Sequence, residues 1–164
     1  MIMKGLYPKE YVNSTYEIDF ETLYEKGYRG VIFDIDNTLV PHGAPADDKA
    51  IAFFERMRKI GYQTLMLSNN KEPRVKMFCD AVGAPYIYKA GKPSVEGYQK
   101  AMEKMGTNVK NTLFVGDQIF TDVWGAKRLG ITTILVEPIK SIENPFFYPK
   151  RFLEKLIKAN LEKE

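Results

Sequence analysis

The sequence predicts an α/β protein of the doubly wound class, a three-layer sandwich around a five-stranded, mainly parallel sheet. Five short apolar runs, 31–35, 64–67, 86–88, 112–115 and 132–136, are spaced along the chain with helix-type apolar periodicity between them. Near-continuous apolar runs are the mark of strands buried on both faces, and a parallel sheet with helices on each side is what buries both. A chain of 164 residues, 45% hydrophobic and 27% charged, suits one globular domain with a real core. The expected domain covers 1–164, with its core at about 30–138 and an amphipathic tail at 141–164.

Each element has a local cause. After a polar opening, Asp19 can cap a short helix from Phe20 to Lys26 that Gly27 closes, and Val31 to Ile35 is the first strand. Asp47 can cap a helix carrying Ile51, Phe54, Met57 and Ile60 inward, Gly61 ends it, and Thr64 to Leu67 is the second strand. Pro73 suits a helix's first turn, and that helix ends at Gly83 before the short third strand Tyr86-Ile87-Tyr88. Pro93-Ser94 opens a helix with Tyr98, Met102 and Met105 inward, closed by Gly106. Thr112 to Val115 is the fourth strand, a helix from Thr121 to Leu129 stops at Gly130, and Thr132 to Val136 is the fifth strand.

Composition narrows the function. Lys and Arg exceed Asp and Glu by only three, with no Arg-rich run, so nucleic acid is not an expected partner. Cys79 is the single cysteine and lies in Val75-Lys76-Met77-Phe78-Cys79, an apolar helix face, which argues against a disulfide framework or thiolate site and for a reducing, cytoplasmic setting. The N-terminus lacks a signal peptide's apolar core, and no run approaches the roughly 18 apolar residues of a membrane span.

In doubly wound folds ligands bind beyond the carboxyl ends of the strands. There the chain places Asp34-Ile35-Asp36-Asn37-Thr38, Ser68-Asn69-Asn70, Gly91-Lys92-Pro93, and Gly116-Asp117 leading to Asp122. Continued strand alternation would turn Asp34, Asp36 and Thr38 to one side. Like charges about 4 Å apart repel by roughly 4 kcal/mol at an effective dielectric near 20, so a buried carboxylate pair calls for a cation or a shared proton. His42 reads as a rim residue of the following loop, and Phe120 and Trp124 as core.

These four motifs, in this order, resemble those of the haloacid dehalogenase superfamily of phosphotransferases. The resemblance implies Asp34 as nucleophile and Asp36 as general acid and base. It implies Mg²⁺ held by the carboxylates of Asp34 and Asp117 and the backbone carbonyl of Asp36, with Asp122 orienting a ligated water. It implies Thr38, Ser68, Asn69 and Lys92 against the phosphoryl group, with Thr38 also steadying the loop and Asp36. Lys92 is preferred to Lys89 because Gly91 and Pro93 shape the approach to the helix.

One helix and one strand separate Thr38 from Ser68, and the same separates Ser68 from Lys92, which leaves no room for a cap domain, so the cleft should lie open. Leu6-Tyr7-Pro8, Tyr11-Val12, Tyr16-Glu17-Ile18, Gly30 to Asp34, Gly116 to Asp122, Arg128-Leu129-Gly130 and Thr133 to Val136 look like the YqeG-type branch of subfamily IIIA. That branch is similar to phosphatidylglycerophosphate phosphatases, which implies a phospholipid monoester as substrate. From Arg151 the tail sets Phe152, Leu153, Leu156, Ile157 and Leu161 on one helical face among Lys150, Lys155 and Lys158, after Phe146-Phe147-Tyr148. Such a stripe either rests peripherally on the inner membrane face or packs on the domain itself or a second copy. Two alternatives stay open: a phosphatase for a soluble sugar or nucleotide phosphate, and a non-enzymic phospho-acceptor switch. Motif order speaks against the switch, since no accepting Asp follows the third strand.

Overall fold

The computed structural model of the protein describes residues 8–139 together with Ile157 and Ala159. The elements run β1 (Glu10–Val12), α1 (Phe20–Glu25), β2 (Gly30–Phe33), α2 (Asp48–Ile60), β3 (Gln63–Leu67), α3 (Glu72–Val82), β4 (Tyr86–Ile87), α4 (Val95–Met105), β5 (Thr112–Gly116), a π-helix (Ile119–Val123), α5 (Trp124–Arg128) and β6 (Thr132–Val136). The sheet has six strands in the order β1-β6-β5-β2-β3-β4, and every pairing is parallel.

The doubly wound class holds, and the strand count is corrected from five to six. The added strand, β1, pairs Glu10–Val12 with Ile134–Val136 at the sheet edge, so the packed core starts ahead of residue 30. Three residues with an exposed first position carry too little apolar signal to stand out, which is why the segment reads as an opening loop. Side-chain alternation splits the interior strands between two apolar layers. Val31, Phe33, Leu113 and Val115 join Phe20, Phe53, Phe54 and Phe78 on one side, while Ile32, Leu65 and Phe114 join Tyr98, Ala101 and Met102 on the other. Both layers exclude water from the sheet, so its backbone bonds stay intact and the strand ends are held rigidly.

The helices follow the expected caps. Asp47 Oδ1 accepts from Ala50 N at 2.8 Å, and Gly61, with φ of 117°, closes α2. The buried stripe of α2 is Ala50, Phe53, Phe54 and Met57, so Ile51 and Ile60 sit at its margin rather than at its centre. Helix α4 begins at Val95, two residues later than expected. The helix expected from Thr121 is corrected as well: a π-helix occupies Ile119–Val123, and α5 runs only from Trp124 to Arg128.

The chain winds β2-β3-β4 outward, then returns to place β5 on the other side of β2. Strand order reverses between β2 and β5, the position at which a crevice opens in this class of fold. Of the tail, Ile157 is buried against Ile119, Val123 and Leu135, so at that residue the stripe packs on the domain itself. Phe146–Tyr148 and the expected apolar positions Phe152, Leu153, Leu156 and Leu161 lie outside the described residues.

Candidate active site

Asp34 is the first residue beyond β2, and Asp117 the first beyond β5. The two strands pair with Phe33 opposite Val115, so the carboxylates leave the sheet side by side at the switch in strand order. Gly116 is needed between strand and ligand: a Cβ there would lie 2.5 Å from Asp122 Oδ2. Asp122 comes from the π-helix, whose extra residue per turn swings its side chain back so that Oδ2 accepts from Gln118 N at 3.2 Å. Tyr98 of α4 fixes that segment from below, its hydroxyl donating to Thr121 O at 2.7 Å and to Asp122 O at 3.2 Å.

Lys92 lies between the acids. Its ammonium donates to Asp122 Oδ1 at 2.8 Å and to Asp34 Oδ1 at 3.1 Å, with the side chain only 3% exposed. Burial works against its charge, but the Asp122 and Asp34 carboxylates prevail and hold the ammonium protonated. Burial is also the main reason the Asp34 pKa is pushed up to about 6; Lys92 opposes the rise and Asp122 adds to it. Oxygens of Asp34, Asp117 and Asp122 all lie within 4.8 Å of one another. Three carboxylates against one ammonium leave the cluster short of positive charge. A hard, all-oxygen donor set of this kind fits a divalent ion such as Mg²⁺.

Asp36 does not join this cluster. Strand β2 stops at Phe33 and Asn37 adopts φ of 62°, so strand alternation is lost and the Asp36 side chain turns toward α3 instead. Its Oδ1 accepts from Gly43 N at 2.8 Å and from Arg74 Nη2 at 2.8 Å and Nε at 3.2 Å, and Oδ2 accepts from Asn70 Nδ2 at 2.9 Å. Burial alone would raise the Asp36 pKa, but the bonds from Gly43, Arg74 and Asn70 outweigh it and hold the carboxyl below its usual range.

Thr38 is also placed differently from expectation. Its hydroxyl is buried and donates to Asp117 Oδ1 at 3.2 Å, behind the acids instead of on the cavity wall. Ser68 is buried at the end of β3 and its Oγ accepts from Asn70 N at 3.1 Å. Asn69 brackets the lysine's backbone: its Nδ2 donates to Lys92 O at 3.1 Å and its Oδ1 accepts from Lys92 N at 2.8 Å. A cavity of about 250 Å³ collects Asp34, Asp36, Ser68, Asn69, Lys92 and Gln118 on its walls. A larger hollow of about 640 Å³ at the β4 edge, lined by Glu72, Tyr86, Tyr88 and Lys104 among others, lies away from these acids. His42 is 60% exposed on the cavity rim, 3.9 Å from Asp36 Oδ1. Trp124, expected in the core, is 40% exposed and stacks with Arg128.

Arg74 is a site residue that reading the sequence missed, and Asn70 lay within a motif but was given no role. Arg74 did leave a signal, because a cation in the first turn of a helix opposes the helix dipole and so hints at a specific acidic partner.

The family description haloacid dehalogenase-like hydrolase matches residues 43–130, a span that holds Ser68, Lys92, Asp117 and Asp122 and begins just after Asp34 to Thr38. The chain is 37% identical to the probable phosphatase YqeG of Bacillus subtilis, an alignment covering all of this chain and 96% of that one. It is 30% identical to phosphatidylglycerophosphate phosphatase 1, chloroplastic/mitochondrial, of Arabidopsis thaliana over 79% of this chain, and spans only 40% of the plant protein's length. Among solved structures, an uncharacterised Listeria monocytogenes protein superposes with a TM-score of 0.54 at 17% identity, covering 80% of this chain and 99% of that one. The cobalt-bound deoxy-D-mannose-octulosonate 8-phosphate phosphatase of Haemophilus influenzae superposes at 0.52 with 12% identity, covering 69% and 80%. At such identities these two speak for the fold alone.

Proposed function

The chain belongs to the haloacid dehalogenase-like hydrolases, and from that footing we propose that it is a Mg²⁺-dependent phosphomonoesterase working through an aspartyl-phosphate on Asp34. The observation that carries this reading is the buried Lys92 ammonium set between Asp34 and Asp122 with Asp117 alongside. An ammonium in that position neutralises a phosphoryl group delivered to Asp34, and electrostatic work of this kind dominates phosphoryl transfer.

In the proposed reaction an Asp34 carboxylate oxygen attacks phosphorus in line, forming the Asp34–phosphorus bond as the ester bond breaks. Asp36, a carboxylate at rest, takes up the proton carried in by the monoanionic phosphate ester and passes it to the leaving oxygen, then takes one from the water that hydrolyses the intermediate, and that proton departs with the phosphate so that both carboxylates are restored. Ser68 and Asn69 orient the phosphoryl oxygens and Lys92 offsets their charge, while Thr38 steadies Asp117. Asp34, Asp117 and the backbone carbonyl of Asp36, with Asp122 beside them, would hold Mg²⁺, which would supply the remaining neutralisation.

For the substrate we propose a phospholipid phosphomonoester, phosphatidylglycerophosphate being the named substrate of the plant relative. The open mouth supports this, since only α2 and the loop ahead of it lie between β2 and β3, and only α3 between β3 and β4. In this reading 1–164 is one catalytic domain, cytoplasmic and peripheral to the membrane. No helix among the described residues is long and apolar enough to cross a bilayer.

The test is Mg²⁺-dependent phosphate release from phosphatidylglycerophosphate in detergent against a panel of soluble sugar and nucleotide monoesters, with Asp34→Asn as control. Faster turnover of a soluble ester would replace the lipid assignment, and full activity in Asp34→Asn would end the aspartyl-phosphate reading.

A further inference from the structure

Asp36 is held by more donors than its setting near the mouth would require. Oδ1 takes three, from Arg74 Nη2, Arg74 Nε and Gly43 N, whereas Oδ2 takes one, from Asn70. A carboxylate oxygen has about two lone-pair sites, so Oδ1 is saturated and Oδ2 keeps one free. The Arg74 side chain is only 12% exposed, and the third guanidinium nitrogen, Nη1, is buried with no hydrogen-bond partner among the described residues. Asp36 is therefore the group that this buried cation serves.

A plain staple between α3 and the loop after β2 explains little of this. Buried ion pairs contribute little net stability over apolar packing, and Arg74 stands in the first turn of α3, where the dipole disfavours a cation. What the arrangement does supply is a fixed orientation. We propose that Arg74 is a positioning residue which, by saturating Oδ1, makes Oδ2 of Asp36 the oxygen that exchanges protons with the substrate. The Oδ2 proton passes to the leaving oxygen as its bond to phosphorus breaks, and Oδ2 accepts a proton from the water that later attacks phosphorus. Arg74 itself touches no reacting atom.

The inference rests on Asp36 acting as general acid, and leaving-group chemistry separates the two. An alkoxide needs protonation to depart, whereas p-nitrophenolate leaves without help, so a lost proton donor slows alkyl esters selectively. The assay compares kcat/KM with Mg²⁺ for p-nitrophenyl phosphate and for an alkyl ester, glycerol 1-phosphate or the lipid monoester, whichever the wild type turns over faster. Arg74→Ala should lower the alkyl value roughly tenfold or more beyond its effect on the aryl value, in the same sense as Asp36→Asn. The double variant should be no slower on the alkyl ester than Asp36→Asn alone. Should Arg74→Ala not fold, Arg74→Lys decides: it keeps the buried cation, loses the two-bond fork, and should show the same bias in smaller degree. A bias in Asp36→Asn with parallel losses on both esters in the Arg74 variants would overturn the positioning role and leave the phosphatase reading standing. No bias in Asp36→Asn would remove the acid assignment, and the role of Arg74 with it.

Discussion

Two acidic groups sit within one small site and are balanced differently. The inner one sets Asp34, Asp117 and Asp122 against the single ammonium of Lys92, buried from water at the switch in strand order. The outer one sets Asp36 against Arg74, one charge to one charge, with Asn70 and Gly43 completing the shell. Imbalance in a buried place creates affinity for a further cation, while balance fixes geometry and leaves no demand for one. The same residue type, aspartate, is thus short of positive charge at one end of the site and fully paired at the other.

The sharpest way to break this contrast is Asp34→Asn, for which turnover should fall by roughly four orders of magnitude or more while circular dichroism stays native. Residual activity near the wild-type rate would show that the inner group is not where the chemistry occurs. Lys92→Ala removes the one cation among three acids. Urea unfolding of the metal-free protein at pH 7 should report a loss of about 3–5 kcal/mol, and a loss under about 1 kcal/mol would mean the acids do not rely on Lys92. That loss should shrink at pH 5, because Asp34, with its pKa pushed up to about 6, then carries a proton and needs no counter-charge.

Magnesium should raise the melting temperature, since binding to the folded state alone adds about 2.7 kcal/mol at a hundred times Kd. The sign with pH follows from competition. Below about 6 the ion must displace a proton from Asp34, so the rise is small at pH 5 and complete above pH 7; a rise equal at both would contradict the assignment. A smaller effect is expected of Gly116→Ala, whose methyl would press on the Asp122 carboxylate. Crowding of this sort costs about 1–3 kcal/mol. Calorimetry should show weakened Mg²⁺ binding, whereas unchanged affinity would mean that Asp122 is dispensable to the inner group.

Much of the frame was legible because buried parallel strands leave contiguous apolar runs, as in Val31-Ile32-Phe33 and Thr112 to Val115. Strand β1 was not, since Glu10-Tyr11-Val12 offers three residues and an exposed first position. The π-helix was equally hidden. No residue type in Ile119 to Val123 marks it; what accompanies it is the short-range bond from Gln118 N to Asp122 Oδ2 and the grip of Tyr98 on the carbonyls, the latter a tertiary contact. Asp34 and Asp117 could be read from their places directly after strands, because strand ends point one way. The surroundings of Asp36 could not, because they depend on the turn at Asn37 and on a side chain from α3.

Asp34, Ser68, Lys92 and Asp117 arrive on four separate segments, brought together only by the parallel pairing of β5, β2, β3 and β4. No fragment of the polypeptide that lacks one of these crossovers contains the whole constellation. Contacts between distant stretches form late and dissolve together, so the acidic cluster and the lysine between its carboxylates come into being only with the completed topology, not with local helix formation.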